Sequence, residues 1–159
     1  MDEADAHARS GRRWRQPPAP SGRKPCLFCQ IARAEIAAHA VLETPDLFAF
    51  LDHRPLFKGH TLLVPRAHIE TLDELPPDLL APFFAGAQRV SRALQKALGA
   101  GGTFVAINNR VSQSVPHLHC HIVPRTKGDG LKGFFWPRTQ YANEEEMADT
   151  AAAIRRALG

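Results

Sequence analysis

A chain of 159 residues is long enough for one compact domain and too short for two of ordinary size. With 44% apolar and 23% charged residues it has the composition of a globular protein, and a formal net charge of +4 is too modest to make nucleic acid an expected partner. No apolar run approaches the ~20 residues a membrane span requires and the N-terminus lacks the apolar core of a signal peptide, so no membrane partner is expected and the expected location is cytoplasmic.

Residues 1 to 23 mix Arg, Pro, Gly and Ser without apolar periodicity and cannot bury enough surface to offset ordering entropy, so they read as a flexible basic, Pro-rich tail. The alternative for them is a weak polyanion-binding arm. A single globular domain is expected over residues 24 to 159, its C-terminal loop and helix starting near residue 126. In chain order, "CLFCQIARAEI" suggests a short helix, and "HAVLET" and "LFAFLD" two strands around the turn at Thr44, Pro45 and Asp46. "KGHTLLVPRAHI" supplies a third strand that begins after Gly59 and is ended by Pro65. A helix follows from about Pro76 to Leu98, where Leu79, Phe83, Ala87, Val90, Leu94 and Leu98 form one apolar stripe and Gly99 is a stop. "GGTFVAINN" reads as a fourth strand and the run "HLHCHIVPR" as a fifth. An aromatic loop with Phe134, Phe135 and Trp136 and a helix over "NEEEMADTAAAIRRALG" complete the chain, acids in the helix's first turn and arginines in its last. Short connections between strands favour an α+β class: a five-stranded antiparallel meander with one long helix and short helices.

The run "HLHCHIVPR" puts His117, His119 and His121 at alternate positions, hence on one face of a strand, with Leu118, Cys120 and Ile122 on the other. Each buried ring nitrogen needs a partner, so three imidazoles side by side point to a metal site, a catalytic site, or both. Cys26 and Cys29 supply two thiolates, and zinc wants four N or S donors in a tetrahedron. His68, after the third strand, and His117 would complete a Cys2His2 site of structural Zn2+, stapling the first helix to the sheet. Two other readings stand beside it: the cysteines as small buried hydrophobes, and an open zinc site made of the three alternate histidines. Three ligands in a row along a strand make a poor tetrahedral face. Cys120 faces the other way and is expected to be packed.

Alternating histidines also serve nucleophilic catalysis on phosphorus, because a neutral imidazole held protonated at one nitrogen exposes a lone pair at the other. "QSVPHLHCHIVPR" over residues 113 to 125 resembles the signature of the histidine-triad (HIT) family of nucleotide hydrolases and transferases, in particular its Hint-like bacterial branch, and "FAFLDHRPLFKGHTLLVPRAHI" over residues 48 to 69 is similar to that family's other diagnostic block. The resemblance implies a HIT-like fold, a two-fold homodimer through the long helix and a strand, and a reaction through a covalent nucleotidyl-histidine. It makes His119 the nucleophile, oriented by the backbone carbonyl of His117, with His121 and His60 lining the phosphate site. Gln113 and Ser114 fall where the family contacts phosphate oxygens and protonates the leaving atom. Asp52 falls at the ribose-hydroxyl acceptor, Asn109 near phosphate and ribose, and Phe28, Ile31, Ile36 and Phe50 in the apolar slot for the base. It also implies that the zinc is structural.

The reading is then an enzyme that cleaves a phosphorus-linked purine nucleotide, a nucleoside phosphoramidate or a dinucleoside polyphosphate, and releases a nucleoside monophosphate. An alternative of another class is a nucleotide-binding sensor or interaction module whose turnover is incidental.

Overall fold

The computed structural model describes residues 25–131 and 139–158 of the chain. The basic tail expected over residues 1 to 23 and the aromatic loop at Phe134 to Trp136 lie outside the described residues. The chain divides into two compact units, one ending at Lys127 and one beginning at Gly128.

The first unit contains α1 (Leu27–Ala32), β1 (Ala40–Glu43), β2 (Leu47–Leu51), β3 (Thr61–Pro65), α2 (Pro77–Leu98), β4 (Gly102–Ile107) and β5 (Cys120–Arg125). Its five strands form one antiparallel sheet in the order β1-β2-β3-β5-β4. Short turns give the expected meander through β1, β2 and β3. The long connection through α2 then carries the chain to the far edge, so β5 returns into the gap between β3 and β4 and becomes a central strand.

Period-two alternation sorts the strands' side chains into two clusters, one on each face. Leu47 and Ala49 of β2, Leu63 of β3 and Cys120 and Ile122 of β5 share a core with Leu79, Phe83, Ala87, Val90 and Leu94 of α2. Phe48 and Phe50 of β2 and Leu62 and Val64 of β3 point the other way, where Phe28, Ile31 and Ala32 of α1 cover them. The stripe on α2 is thus core as its spacing predicts, except at Leu98, which lies 51% exposed in the last turn. Pro82 sits early enough in α2 for the helix to run on, and Gly99 ends it in the left-handed region at φ 62°.

The histidine run departs from the simple strand reading. Only Cys120 onward pairs as strand, because β3 ends at Pro65, which has no N–H to donate to the ladder. Leu118 instead donates its N–H to Ile69 O at 2.6 Å, beyond the proline. The alternation survives this break: Leu118, Cys120 and Ile122 lie in the α2 core, while the rings of His117 and His119 stand against Phe28 of α1. In the second unit, α3 (Glu144–Leu158) carries Glu144, Glu145 and Glu146 in its first turn and Arg155 and Arg156 in its last, complementing the helix dipole.

Candidate active site and metal centre

Cys26, Cys29, His68 and His117 converge, their ligand atoms all within 4.8 Å of one another. Three elements bring them there: Cys26 and Cys29 bracket the first turn of α1, His68 follows β3, and His117 precedes β5. His117 Nδ1 lies 3.4 Å from the Sγ of both cysteines, and His68 Nδ1 lies 3.3 Å from Cys29 Sγ. Zn–S and Zn–N bonds of ordinary length set tetrahedrally put sulfur and nitrogen about 3.5 Å apart. The donor set therefore has the dimensions of a closed zinc site before any cation is added.

The surroundings fit the same group. A carbonyl can only accept, so Pro65 O, 2.8 Å from His117 Nε2, fixes the proton on Nε2 and turns the Nδ1 lone pair toward the sulfurs. Glu70 Oε1 stands 3.7 Å from His68 Nε2, beyond hydrogen-bond length but near enough for its charge to favour a proton on that nitrogen. Burial and the neighbouring Cys26 push the Cys29 thiol up to about 12, and burial, with His68 and His119 adding to it, takes His117 down to about 4. A divalent ion at the centre reverses the thiol's preference, because a coordinating thiol is deprotonated outright.

The second cluster has a hydrogen-bond direction fixed at each step. His119 Nδ1 must donate to His117 O, 2.7 Å away, which leaves Nε2 as the lone-pair nitrogen. Leu56 N–H donates to His60 Nδ1 at 3.2 Å, so the proton of His60 sits on Nε2 and is given to His121 Nδ1 at 3.0 Å. His121, neutral, then carries its own proton on Nε2. Its ring stands 4.9 Å from that of His119. Burial, and then the two neighbouring imidazoles His119 and His60, push His121 down to about 4; burial also lowers His60, against the opposing carboxylate of Asp52.

Around these rings the sequence-predicted residues take the following places. Asp52 follows β2, its Oδ2 3.7 Å from His60 Nδ1 and its Oδ1 accepting Arg54 N–H at 2.9 Å. Phe28, Ile31 and Phe50 are buried together, and Ile36 is 37% exposed on the loop after α1. Ser114 is exposed on the loop ahead of His117. Gln113 and Asn109 are engaged with the chain itself. Gln113 Nε2 donates to Glu70 O at 2.6 Å, its Oε1 accepts Arg110 N–H at 2.7 Å, and Asn109 Oδ1 accepts Leu72 N–H at 2.8 Å. Arg110 and Ser112 in this loop hold φ of 64° and 60°, a strained conformation for residues with a Cβ.

Among the described residues no candidate metal group contains all three alternate histidines: His117 belongs to the cysteine cluster and His121 to a group with Asp52 and His60. Cys120 is fully buried on the opposite face, as expected. Sequence reasoning missed Pro65, Leu56 and Glu70. The first two act through a backbone carbonyl and a backbone N–H, for which side-chain type carries no signal, and Glu70 reads as an ordinary surface acid.

The family model for the HIT domain matches residues 33–128. An uncharacterised HIT-like protein of Methanocaldococcus jannaschii is 45% identical over 106 residues, covering 66% of this chain and 82% of its own length. An adenylylsulfatase of Arabidopsis thaliana is 35% identical over 140 residues (84% of this chain, 69% of its own), and an adenosine 5'-monophosphoramidase of Candida albicans is 29% identical over 118 (70% and 78%). Among solved structures, a HIT family protein of Bacillus subtilis superposes with a TM-score of 0.77 at 31% identity, over 86% of this chain and 99% of its own. A Zn-bound histidine triad family protein of Mycobacterium smegmatis does so with 0.64 at 34%, over 80% and 96%. With its two histidine clusters in one HIT domain that spans more than half its length, this chain belongs to the HIT family.

Proposed function

We propose that this chain is a nucleotide hydrolase or transferase that cleaves a phosphorus-linked purine nucleotide through a covalent nucleotidyl-histidine at His119. The observation that carries the reading is the 2.7 Å contact of His119 Nδ1 with His117 O, which selects the tautomer whose lone pair is on Nε2, the nitrogen that would attack. In the first step the Nε2–P bond forms and the bond from the α-phosphorus to the leaving atom breaks. That atom keeps the electron pair and takes up a proton, with Ser114 as the nearest hydroxyl in sequence to relay it. Water then attacks phosphorus, releases one proton, and frees His119 and a nucleoside monophosphate. His121 Nε2–H points its donor at the phosphoryl oxygens, held there by His60. Burial of His119 to 2% exposure keeps bulk water off the nucleophile.

In this reading Asp52 accepts the ribose hydroxyls, and Phe28, Ile31, Ile36 and Phe50 hold the base. Gln113 and Asn109 keep the loop that presents Ser114 in place, through the bonds to Glu70 and Leu72, with the Asn109 Nδ2 left for phosphate or ribose. Zinc at Cys26, Cys29, His68 and His117 is structural and ties α1 to the segment that carries His119. A two-fold homodimer belongs to the same proposal, since Leu80 and Phe84 on α2 and Val105 on the edge strand β4 are exposed apolar residues. The relatives named adenylylsulfatase and adenosine 5'-monophosphoramidase support a substrate with an adenylyl group. Cysteines placed to hold a metal and not a disulfide suit a reducing, cytoplasmic setting.

The test is a rapid-quench single turnover with adenosine 5'-phosphoramidate. Wild type is expected to release AMP through a transient acid-labile adenylyl-enzyme. His119→Ala is expected to bind AMP and to lose turnover by at least about 10³-fold. Turnover by His119→Ala at the wild-type rate would remove the nucleophile assignment.

A further inference from the structure

A cavity of about 530 Å³ lies beside the histidine site and not at it. That volume is within the range of small-molecule pockets, roughly 300–1,000 Å³. Its walls are apolar and small: Ile31, Ala32, Ile36, Ala37, Ala38 and Phe48. The charged groups at its rim are already matched. Arg66 lies over the Phe48 ring at 5.1 Å, donates to Thr44 O at 2.8 Å and pairs with Glu43 at 3.2 Å, while Arg33 pairs with Glu35 at 2.7 Å. The cavity therefore offers apolar contact and not a site for an anion.

A row of successive ring contacts links His119 to one of the cavity's walls. Phe28 stands 5.1 Å from His119, Phe50 is 5.5 Å from Phe28, and Phe48 is 5.8 Å from Phe50 with the two planes 29° apart. The proposed base slot uses the first part of this row, with Ile31 and Ile36 as its side walls. The cavity takes over at those same two isoleucines and adds Phe48, the ring farthest along the row from His119. The loop that closes it turns at Ala34, held at φ 60°, and continues through exposed alanines at 37 and 38. Larger side chains there would fill the space.

We propose that the cavity is a second part of the base site and takes an apolar substituent on the edge of the purine remote from the ribose, so that N6-alkyl and N6-aryl adenine nucleotides are substrates. The proposal rests on the placement of the nucleoside given above. A purine joins the ribose through N9, so its C6 edge lies on the side away from the ribose, and a base held by Ile31 and Ile36 has the cavity that those two residues also line within reach of that edge. A bound N6 substituent removes apolar surface of Phe48, Ile36 and the alanines from water, which favours binding in proportion to area.

The experiment measures equilibrium binding of AMP and N6-benzyl-AMP, and turnover of the two corresponding phosphoramidates, by full-length wild type, Ala37→Phe and Ala38→Phe. Wild type is expected to bind the benzyl nucleotide as tightly as AMP or more tightly. At least one of the two phenylalanine variants is expected to weaken the benzyl nucleotide about tenfold and leave AMP unchanged, the AMP value showing that the variant is folded. Benzyl binding more than about tenfold weaker than AMP in wild type, or an unchanged ratio in both variants, would overturn the proposal. Absence of AMP binding would overturn it together with the functional reading. If AMP binds but no phosphoramidate is cleaved, the functional reading fails and with it the claim that these nucleotides are substrates, while the binding ratio still decides whether the cavity takes the N6 substituent.

Discussion

His117 and His119 are two residues apart and serve different clusters, and what separates them is the backbone group that holds the far nitrogen of each ring. In the cysteine cluster, Pro65 O takes the Nε2 proton of His117, so Nδ1 faces the two sulfurs and the donor set closes on itself. In the other cluster, His117 O takes the Nδ1 proton of His119, so Nε2 is the nitrogen with the lone pair and nothing in its own chain is required to complete it. The tautomer, and not residue type, suits one side chain to the proposed ligand role and the other to the proposed nucleophile role. The two clusters are joined through His117, whose ring faces the two cysteines and whose carbonyl faces His119.

That shared residue suggests how to break the comparison, and the largest effect comes from the closed cluster. Cys29→Ala is expected to abolish zinc binding and to lower Tm by about 5–15 °C, since the free energy of a structural metal is folding free energy. Turnover should fall with it, because the His117 carbonyl is no longer anchored. Metal content by elemental analysis and a thermal melt check this, and a variant that keeps its metal would remove Cys29 from the ligand set. Next, His60→Ala should leave metal content at wild type while lowering kcat about 10–100-fold, because His121 then loses the donor that fixes its tautomer. Loss of metal in that variant would mean that the clusters are not separable.

A smaller effect is expected from acid. The ordinary pKa of a histidine is 6.5 and burial takes His121 down to about 4 in the fold, so between those values the unfolded chain binds a proton that the folded one refuses. The stability contributed by the neutral ring is complete above about pH 6.5 and is lost as pH falls toward about 4. Urea unfolding from about pH 7 to about pH 5 should show stability falling, and His121→Gln should lose less over the same range; parallel slopes would exclude His121 as a source. The smallest effect belongs to Glu70→Gln, whose carboxylate stands 3.7 Å from His68 Nε2 with both side chains about 40% exposed. Zinc affinity in a competitive chelator titration should fall by about tenfold or less, and a larger loss would place Glu70 nearer the metal than the ring.

The stripe on α2 was legible because a helical period reads directly as burial on one face, whereas β2 and β3, buried on both faces, were legible only as short apolar runs between turn signals. The spacing of Cys26 and Cys29 with His68 and His117 was legible for a related reason: few residue types ligate zinc, so the candidates are few. Less legible was the start of β5. Alternation predicts a strand from His117, but the partner strand offers Pro65 at that level and the ladder begins at Cys120. Leu98 shows the opposite limit, a residue in register with the stripe that the end of the helix leaves exposed.

The sequence by itself determined the types of group available: the Cys26 and Cys29 thiols, the alternating imidazoles and the segments that carry them. Those follow from local spacing, which a chain of 159 residues states outright. Only the tertiary structure decided which nitrogen of His60, His117, His119 and His121 holds a proton, that Gln113 and Asn109 bond to the chain, and that a cavity opens beside Phe48. Each of these depends on a backbone group or a void brought close by strands and loops distant in sequence, and neither a carbonyl direction nor an empty space has a residue letter.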